Sequence, residues 1–298
     1  MTKNIIFFNP YNLGDIHISR NLVKHITEST SSHCYYAHRH PKLLQDIPKL
    51  IEDNNLMQRI GNRIHDDYFV DNGRNIFLNT WFHAGGGQHS RYGTTIDSLC
   101  CLFESHCRKL GIPKLGLLDS YPDIDFSYYD VGGIKEYMQD KKNNIFIFNG
   151  LCRSQQSENF PMGNAINNLT SKFPDKNFFI TNQDPIIQKR DNVYFTWEII
   201  NKGTTDGCDL NETAYLSTFC DVIIGRASGA FSYCGTKYNY FNRDCIVVPI
   251  CSIVIGIEFF MGQLFLQNGI RYRAKIIKNN IRSEGEFEAV IYNVLKEI

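Results

Sequence analysis

Short apolar runs that end in turn residues, each followed by a stretch with helical spacing, recur along the chain. Ile5-Ile6-Phe7-Phe8 ends at Asn9-Pro10-Tyr11-Asn12-Leu13-Gly14-Asp15, and apolar positions then return at Ile16, Ile18, Leu22, Val23 and Ile26. This pattern predicts a buried strand, a glycine-containing turn and an amphipathic helix. Cys34-Tyr35-Tyr36-Ala37 predicts a second strand and residues 75–81 another. The loop His83-Ala84-Gly85-Gly86-Gly87-Gln88-His89 follows, then a helix over residues 95–110. The pattern breaks into turn residues at Ser120-Tyr121-Pro122-Asp123-Ile124-Asp125 and restarts. Strands are predicted at 144–148, 176–181, 193–196, 221–225 and 246–249, with helices at 164–173, 211–219 and 286–298. Alternating strands and helices argue for parallel sheets covered on both faces. Each half opens with its own strand–turn–helix unit. The expected architecture is therefore α/β, with two Rossmann-like domains, residues 1–126 and 127–298, facing across a cleft.

The length agrees with this division, since 298 residues suit two cores better than one. Lysine plus arginine and aspartate plus glutamate both number 31, so the chain lacks the basic excess of a protein whose main ligand is a nucleic-acid backbone. The strongest apolar stretch, residues 245–265, is interrupted by Pro249, Ser252, Glu258 and Gln263. It reads as a buried strand and then a helix, short of the roughly 20 residues of a membrane span. Ten cysteines include no Cys-x-x-Cys pair, and several sit in apolar runs as small hydrophobes. The start, Met1-Thr2-Lys3-Asn4 and four apolar residues, has no signal-peptide pattern, so a cytoplasmic chain with reduced thiols is expected.

Two turns carry candidate chemistry. The first, residues 9–17, joins a strand to a helix, where open α/β sheets bind ligands. Asp15 there is either a helix cap or a base that takes a proton from an attacking hydroxyl, with His17 as the alternative base. The second, Cys220-Asp221-Val222-Ile223-Ile224-Gly225-Arg226-Ala227-Ser228-Gly229-Ala230-Phe231, leads a buried strand through small residues towards an expected helix. Backbone amides at such a helix start, with Ser228, Gly229, Gly225 and the Arg226 guanidinium, suit a diphosphate. The plainer reading is a tight turn with Arg226 in solvent.

Gly14-Asp15 after the first strand and a late strand–Ser-Gly turn together resemble the heptosyltransferase-related glycosyltransferases of the B-type fold. The resemblance implies Asp15 as base, donor diphosphate at the late turn, and Arg153 as the basic residue after the first strand of the second domain. That family's late turn reads Asp-Ser/Thr-Gly with His three residues on, whereas this chain has Ala227 and Ser232 at those positions. All nine histidines lie at or before residue 106. Most read as scattered surface residues. His83 and His89, with Gln88 and the Trp81 platform, form an expected acceptor site for a carbohydrate. Cys34, His38 and His40 lack a second ligand pair at zinc spacing, and Asp123-Ile124-Asp125 falls at a linker turn rather than beneath a diphosphate. No P-loop, nucleophile elbow or Gly-x-Gly-x-x-Gly fingerprint is present.

The expected function is sugar transfer from a nucleoside-diphosphate sugar to a glycan hydroxyl, without metal or other cofactor. A nucleotide-sugar epimerase, or a non-catalytic module that binds glycans or a partner, are the alternatives. No nucleic-acid partner is expected.

Overall fold

A computed structural model of the chain describes residues 3–9, 13–38, 40–52, 68–81, 95–153, 156–200, 208–251 and 262–298. Two compact units emerge: Met1–Tyr128 with Glu258–Arg271, and Tyr129–Ile257 with Tyr272–Ile298. The chain thus leaves the second unit late, contributes a segment to the first, and returns. A linear division at residue 126 does not anticipate this excursion. Among the described residues no helix is long and apolar enough to cross a membrane.

The first unit has strands β1 (Asn4–Phe8), β2 (Cys34–Ala37), β3 (Leu50–Glu52), β4 (Phe69–Asp71) and β5 (Asn75–Asn79) in the order β3-β2-β1-β5-β4. All pairs are parallel except β4–β5. Ile6, Phe8, Ala37 and Phe77 form a core cluster on one side of this sheet. The pleat sends Ile5, Phe7 and Leu78, equally buried, to the other. Helices α1 (Leu13–Ser29) and α2 (Thr95–Leu110) pack side by side. Arg20 of α1 is fully buried and pairs with Asp46, while also donating to the Leu43 carbonyl at 2.6 Å.

The second unit is an all-parallel sheet of β6 (Asn144–Phe148), β7 (Asn177–Ile180), β8 (Val193–Phe195), β9 (Val222–Arg226), β10 (Ile246–Ile250) and β11 (Lys275–Ile276). Their order is β11-β10-β9-β6-β7-β8. Every residue of β6 and β9 is buried, as expected of central strands covered on both faces. Ile145, Ile147, Phe178, Ile180, Val222 and Ile224 pack beneath α4 (Gly163–Lys172) and α6 (Glu284–Lys296). Helices α3 (Gly132–Met138) and α5 (Leu210–Ser217) pack together in the same unit. The Glu284 carboxylate accepts from the Asn164 and Ala165 amides at 2.9 and 3.1 Å, so one helix caps the positive end of another.

In each sheet the first strand of its unit is central and the order reverses beside it. The switch points therefore lie between β1 and β5 and between β6 and β9, the places where open α/β sheets hold ligands.

The returning segment is fastened to the first unit by a buried acid. Asp97 of α2 accepts from the Gln263 amide at 2.5 Å, at the start of the short helix Gln263–Gln267, and buried Phe265 meets Tyr121 edge-on at 5.6 Å. Asp97→Ala removes a charge-assisted bond from a buried amide and is expected to cost about 2 kcal/mol. Amide exchange should accelerate at 263–270 in particular; a loss of stability without local acceleration there contradicts this account.

Candidate functional site

The first switch point is lined by buried polar groups. Thr80, just past β5, donates its backbone N–H to the Phe8 carbonyl at 3.0 Å, and its hydroxyl approaches the same oxygen at 3.3 Å. The Tyr36 hydroxyl lies 2.8 Å from the Thr80 hydroxyl. Burial pushes the Tyr36 phenol well above its ordinary range, and the negative charge of Asp15 adds to that rise. Asp15 thus stands near the Tyr36–Thr80 pair. It lies in the first turn of α1, where helical amides favour a carboxylate, and its side chain is buried.

His17, the alternative base, is also buried within α1, 0 % exposed. Trp81 is half-buried beyond β5, its amide donating to the Asn79 side chain at 2.9 Å. His83, Gln88 and His89 lie outside the described residues. Among the other histidines, His106 is buried against the Phe103, Tyr68 and Phe69 rings and His25 meets the Pro113 carbonyl at 2.7 Å; both have structural surroundings. Asp125 accepts from the Ser127 amide and hydroxyl at 3.1 and 2.6 Å, as a turn residue does.

The second switch point differs from expectation in three respects. Arg226, at the end of β9, does not reach solvent: it is 2 % exposed. Its guanidinium donates to the Asn149 and Gly150 carbonyls at 2.7 and 3.0 Å, to the Glu158 carbonyl at 3.1 Å, and to the Phe160 carbonyl. Its carbon centre lies 5.2 Å from the Phe160 ring centroid. The side chain thereby spans the β6–β9 reversal, bonded to the backbone on either side of the loop after β6. Desolvation lowers its affinity for its proton, yet a guanidinium remains charged at any working pH.

Gly225 is set by packing. A Cβ there would lie 2.4 Å from Phe231 Cδ2 and 2.6 Å from Phe148 Cβ, and the rings of these two residues meet edge-on. Finally, no long helix follows the turn. Ser228 accepts from the Phe231 amide at 3.2 Å and Ser232 donates to the Gly229 carbonyl at 2.6 Å, closing one 3-10 turn, Phe231–Cys234. Ser228 and Gly229 are partly exposed, but their polar groups brace the turn, and a four-residue helix supplies little dipole for an anion.

The exposed face of this edge is instead the loop after β6. Leu151 is 71 % exposed and Arg153 is exposed beside it. Between them, Cys152 is buried: its thiol donates to the Ala227 carbonyl at 3.1 Å, and its backbone exchanges bonds with the Asn159 side chain at 2.8 and 2.9 Å. Asn149 ties the end of β6 to that of β7, its Oδ1 accepting from the Asn182 amide at 2.7 Å. Sequence pattern singles out neither Leu151 nor the Asn149–Asn182 pair, because their placement depends on which strands become neighbours.

Glu212, in the first turn of α5, is another group that spacing does not reveal. Burial, with Asp209 and Asp130 adding negative charge, pushes its carboxyl up to about 7.

No family model matches the sequence. No curated protein matches it either. Solved structures do. A family 9 glycosyl transferase from Veillonella parvula superposes with a TM-score of 0.54 at 11% identity, covering 99% of this chain and 98% of that one. The heptosyltransferase WaaC of E. coli with ADP gives 0.52 at 8% identity and 99% coverage of each chain. The iron-containing dodecameric glycosyltransferase TibC of E. coli gives 0.51 at 11%, over 86% of this chain and 60% of that one. The chain therefore has the two-sheet α/β fold of B-type glycosyltransferases.

Two outcomes follow. Gly225→Ala drives a methyl into the Phe231 ring and the Phe148 Cβ and should cost about 2–3 kcal/mol, read as a lowered Tm. Because the folded carboxyl of Glu212 holds its proton up to about 7 rather than 4.5, the stability it contributes is complete at low pH and lost as pH rises through that window. Thermal melts between pH 4 and 8 should show that decline in the wild type and a shallower one in Glu212→Gln; equal slopes would exclude this residue as the cause.

Proposed function

We propose that the chain transfers a sugar from a nucleoside-diphosphate sugar to a hydroxyl of a carbohydrate acceptor. The observation that carries this reading is the placement of Asp15, a buried carboxylate in the helix turn at the first switch point of a fold matched along its whole length by ADP-bound WaaC. In the transfer, the acceptor oxygen attacks the anomeric carbon, the bond from that carbon to the diphosphate breaks, and Asp15 accepts the hydroxyl proton. The nearby Tyr36–Thr80 pair orders the surroundings of that carboxylate.

The leaving diphosphate belongs to the second unit. Arg153 is the cation assigned to it, with the backbone around Ser228 and Gly229 as neutral neighbours at the same sheet edge. Arg226 supports this edge from within and makes no direct ligand contact. Trp81 and the residues beyond it, including His83, Gln88 and His89, remain assigned to the acceptor. No metal is assigned to the step, because a leaving diphosphate can be stabilised by cationic side chains alone.

A second reading, a module that binds sugar nucleotides without turning them over, draws on Ala227 and Ser232, which stand where the resembling enzymes have Asp and His. One variant separates the two. Asp15→Asn should lower transfer at least 100-fold while leaving nucleotide affinity within a few-fold, measured by product formation and by calorimetry on the same preparation. Binding without turnover in the wild type, across a panel of acceptors, would favour the module. Failure of ADP, UDP, GDP, CMP and TDP to bind the folded protein would defeat both.

A further inference from the structure

The loop after β6 combines two features that ordinary connections lack together. Its outer residues are an exposed leucine and an exposed arginine, while both of its stems are fixed to one buried cation. Arg226 holds the incoming stem through the Asn149 and Gly150 carbonyls and the outgoing stem through the Glu158 and Phe160 carbonyls. Cys152 and Asn159 close the loop a second time, and the Cys152 thiol fastens it to Ala227.

A surface loop needs no such anchoring merely to connect a strand to a helix. A surface hydrophobe and a cation on a rigid mount form an amphipathic platform suited to a ligand with a flat apolar part and a phosphate. Among the described residues no carboxylate forms an ion pair with Arg226. A buried cation met by carbonyl dipoles and the Phe160 ring, with no carboxylate paired to it among the described residues, leaves positive potential at this edge, and a polyanion relieves it.

We propose that Arg226 is a positioning residue for the nucleotide: through the two stems it sets Leu151 and Arg153 in place to meet base and diphosphate. This rests on the glycosyl-transfer reading above and adds to it a residue that acts through another. A lysine keeps the charge but offers no planar fork that reaches four carbonyls, so the substitution isolates geometry from charge.

The test uses calorimetry with ADP and with UDP on the full chain, alongside amide exchange at 149–153 and 156–160. Arg226→Lys is expected to weaken nucleotide binding at least tenfold and to speed exchange in both stems. Arg243→Lys alters another arginine that donates to backbone carbonyls, those of Thr218 and Cys220, and serves as the purely structural control. It should lower Tm and leave affinity unchanged. In an Arg153→Ala background the Arg226→Lys loss should largely vanish, because the first residue acts through the second. Should Arg226→Lys fail to fold, Asn159→Ala loosens the same loop from its exposed side and is expected to give the same affinity loss and the same dependence on Arg153. A folded Arg226→Lys with unchanged affinity, or full additivity with Arg153→Ala, overturns the positioning role alone. If the wild type binds neither nucleotide, the glycosyl-transfer reading fails first and takes this role with it.

Discussion

A guanidinium that pairs with no carboxylate among the described residues, closed in by four backbone carbonyls, is the constraint on which the reversal between β6 and β9 depends. Where strand order reverses, the chain leaving β6 departs from β9, and its Asn149 and Gly150 carbonyls lie past the last ladder partners of the strand. Something has to satisfy them. Water, a ligand or a side chain can do so, and here Arg226 does, with the planar fork that only arginine provides. The geometry ties the end of β9 to both described stems of the loop after β6, at 149–150 and at 158–160.

The first sheet meets the same topological problem with neutral groups. The Phe8 carbonyl is satisfied by Thr80, and Tyr36 completes the set, with Asp15 alongside. The switch points therefore carry opposite formal charges, an acid in one unit and a cation in the other. On the reading proposed above, the acid would receive a proton and the cation would support the loop that meets a leaving anion. That contrast matters more for function than shared topology, because fold alone admits many chemistries.

Much of the scaffold was legible from spacing. The helix at 95–110 and the central strands at 5–8, 34–37 and 144–148 stand where apolar runs and turn residues put them, since strands buried on both faces must be continuous and apolar. The edge strands Leu50–Glu52, Phe69–Asp71 and Lys275–Ile276 were not, being short and partly polar, with only the neighbouring strand's free edge to define them. Nor was the return of Gly262–Arg271 to the first unit, which depends on a bond between residues far apart, Asp97 and Gln263. At the site, the turns were legible and the side-chain directions were not. Arg226 follows four buried strand residues, and pattern cannot tell an arginine that turns back onto carbonyls from one that projects into solvent. Asp15 was placed correctly at a helix start, but its neighbours Tyr36 and Thr80 come from two other strands.

The departures from the resembling enzymes at the late turn also belong together physically. Their Asp would stand at Ala227, which is fully buried, with its amide donating to the Ile250 carbonyl at 2.9 Å and its own carbonyl accepting the Cys152 thiol. A carboxylate there would have to be desolvated, and its charge would cancel that of the adjacent cation at the edge where a diphosphate is expected. Alanine avoids both costs and leaves the field of Arg226 in place. The small buried residue at 227 and the buried cation at 226 are thus compatible neighbours in one turn.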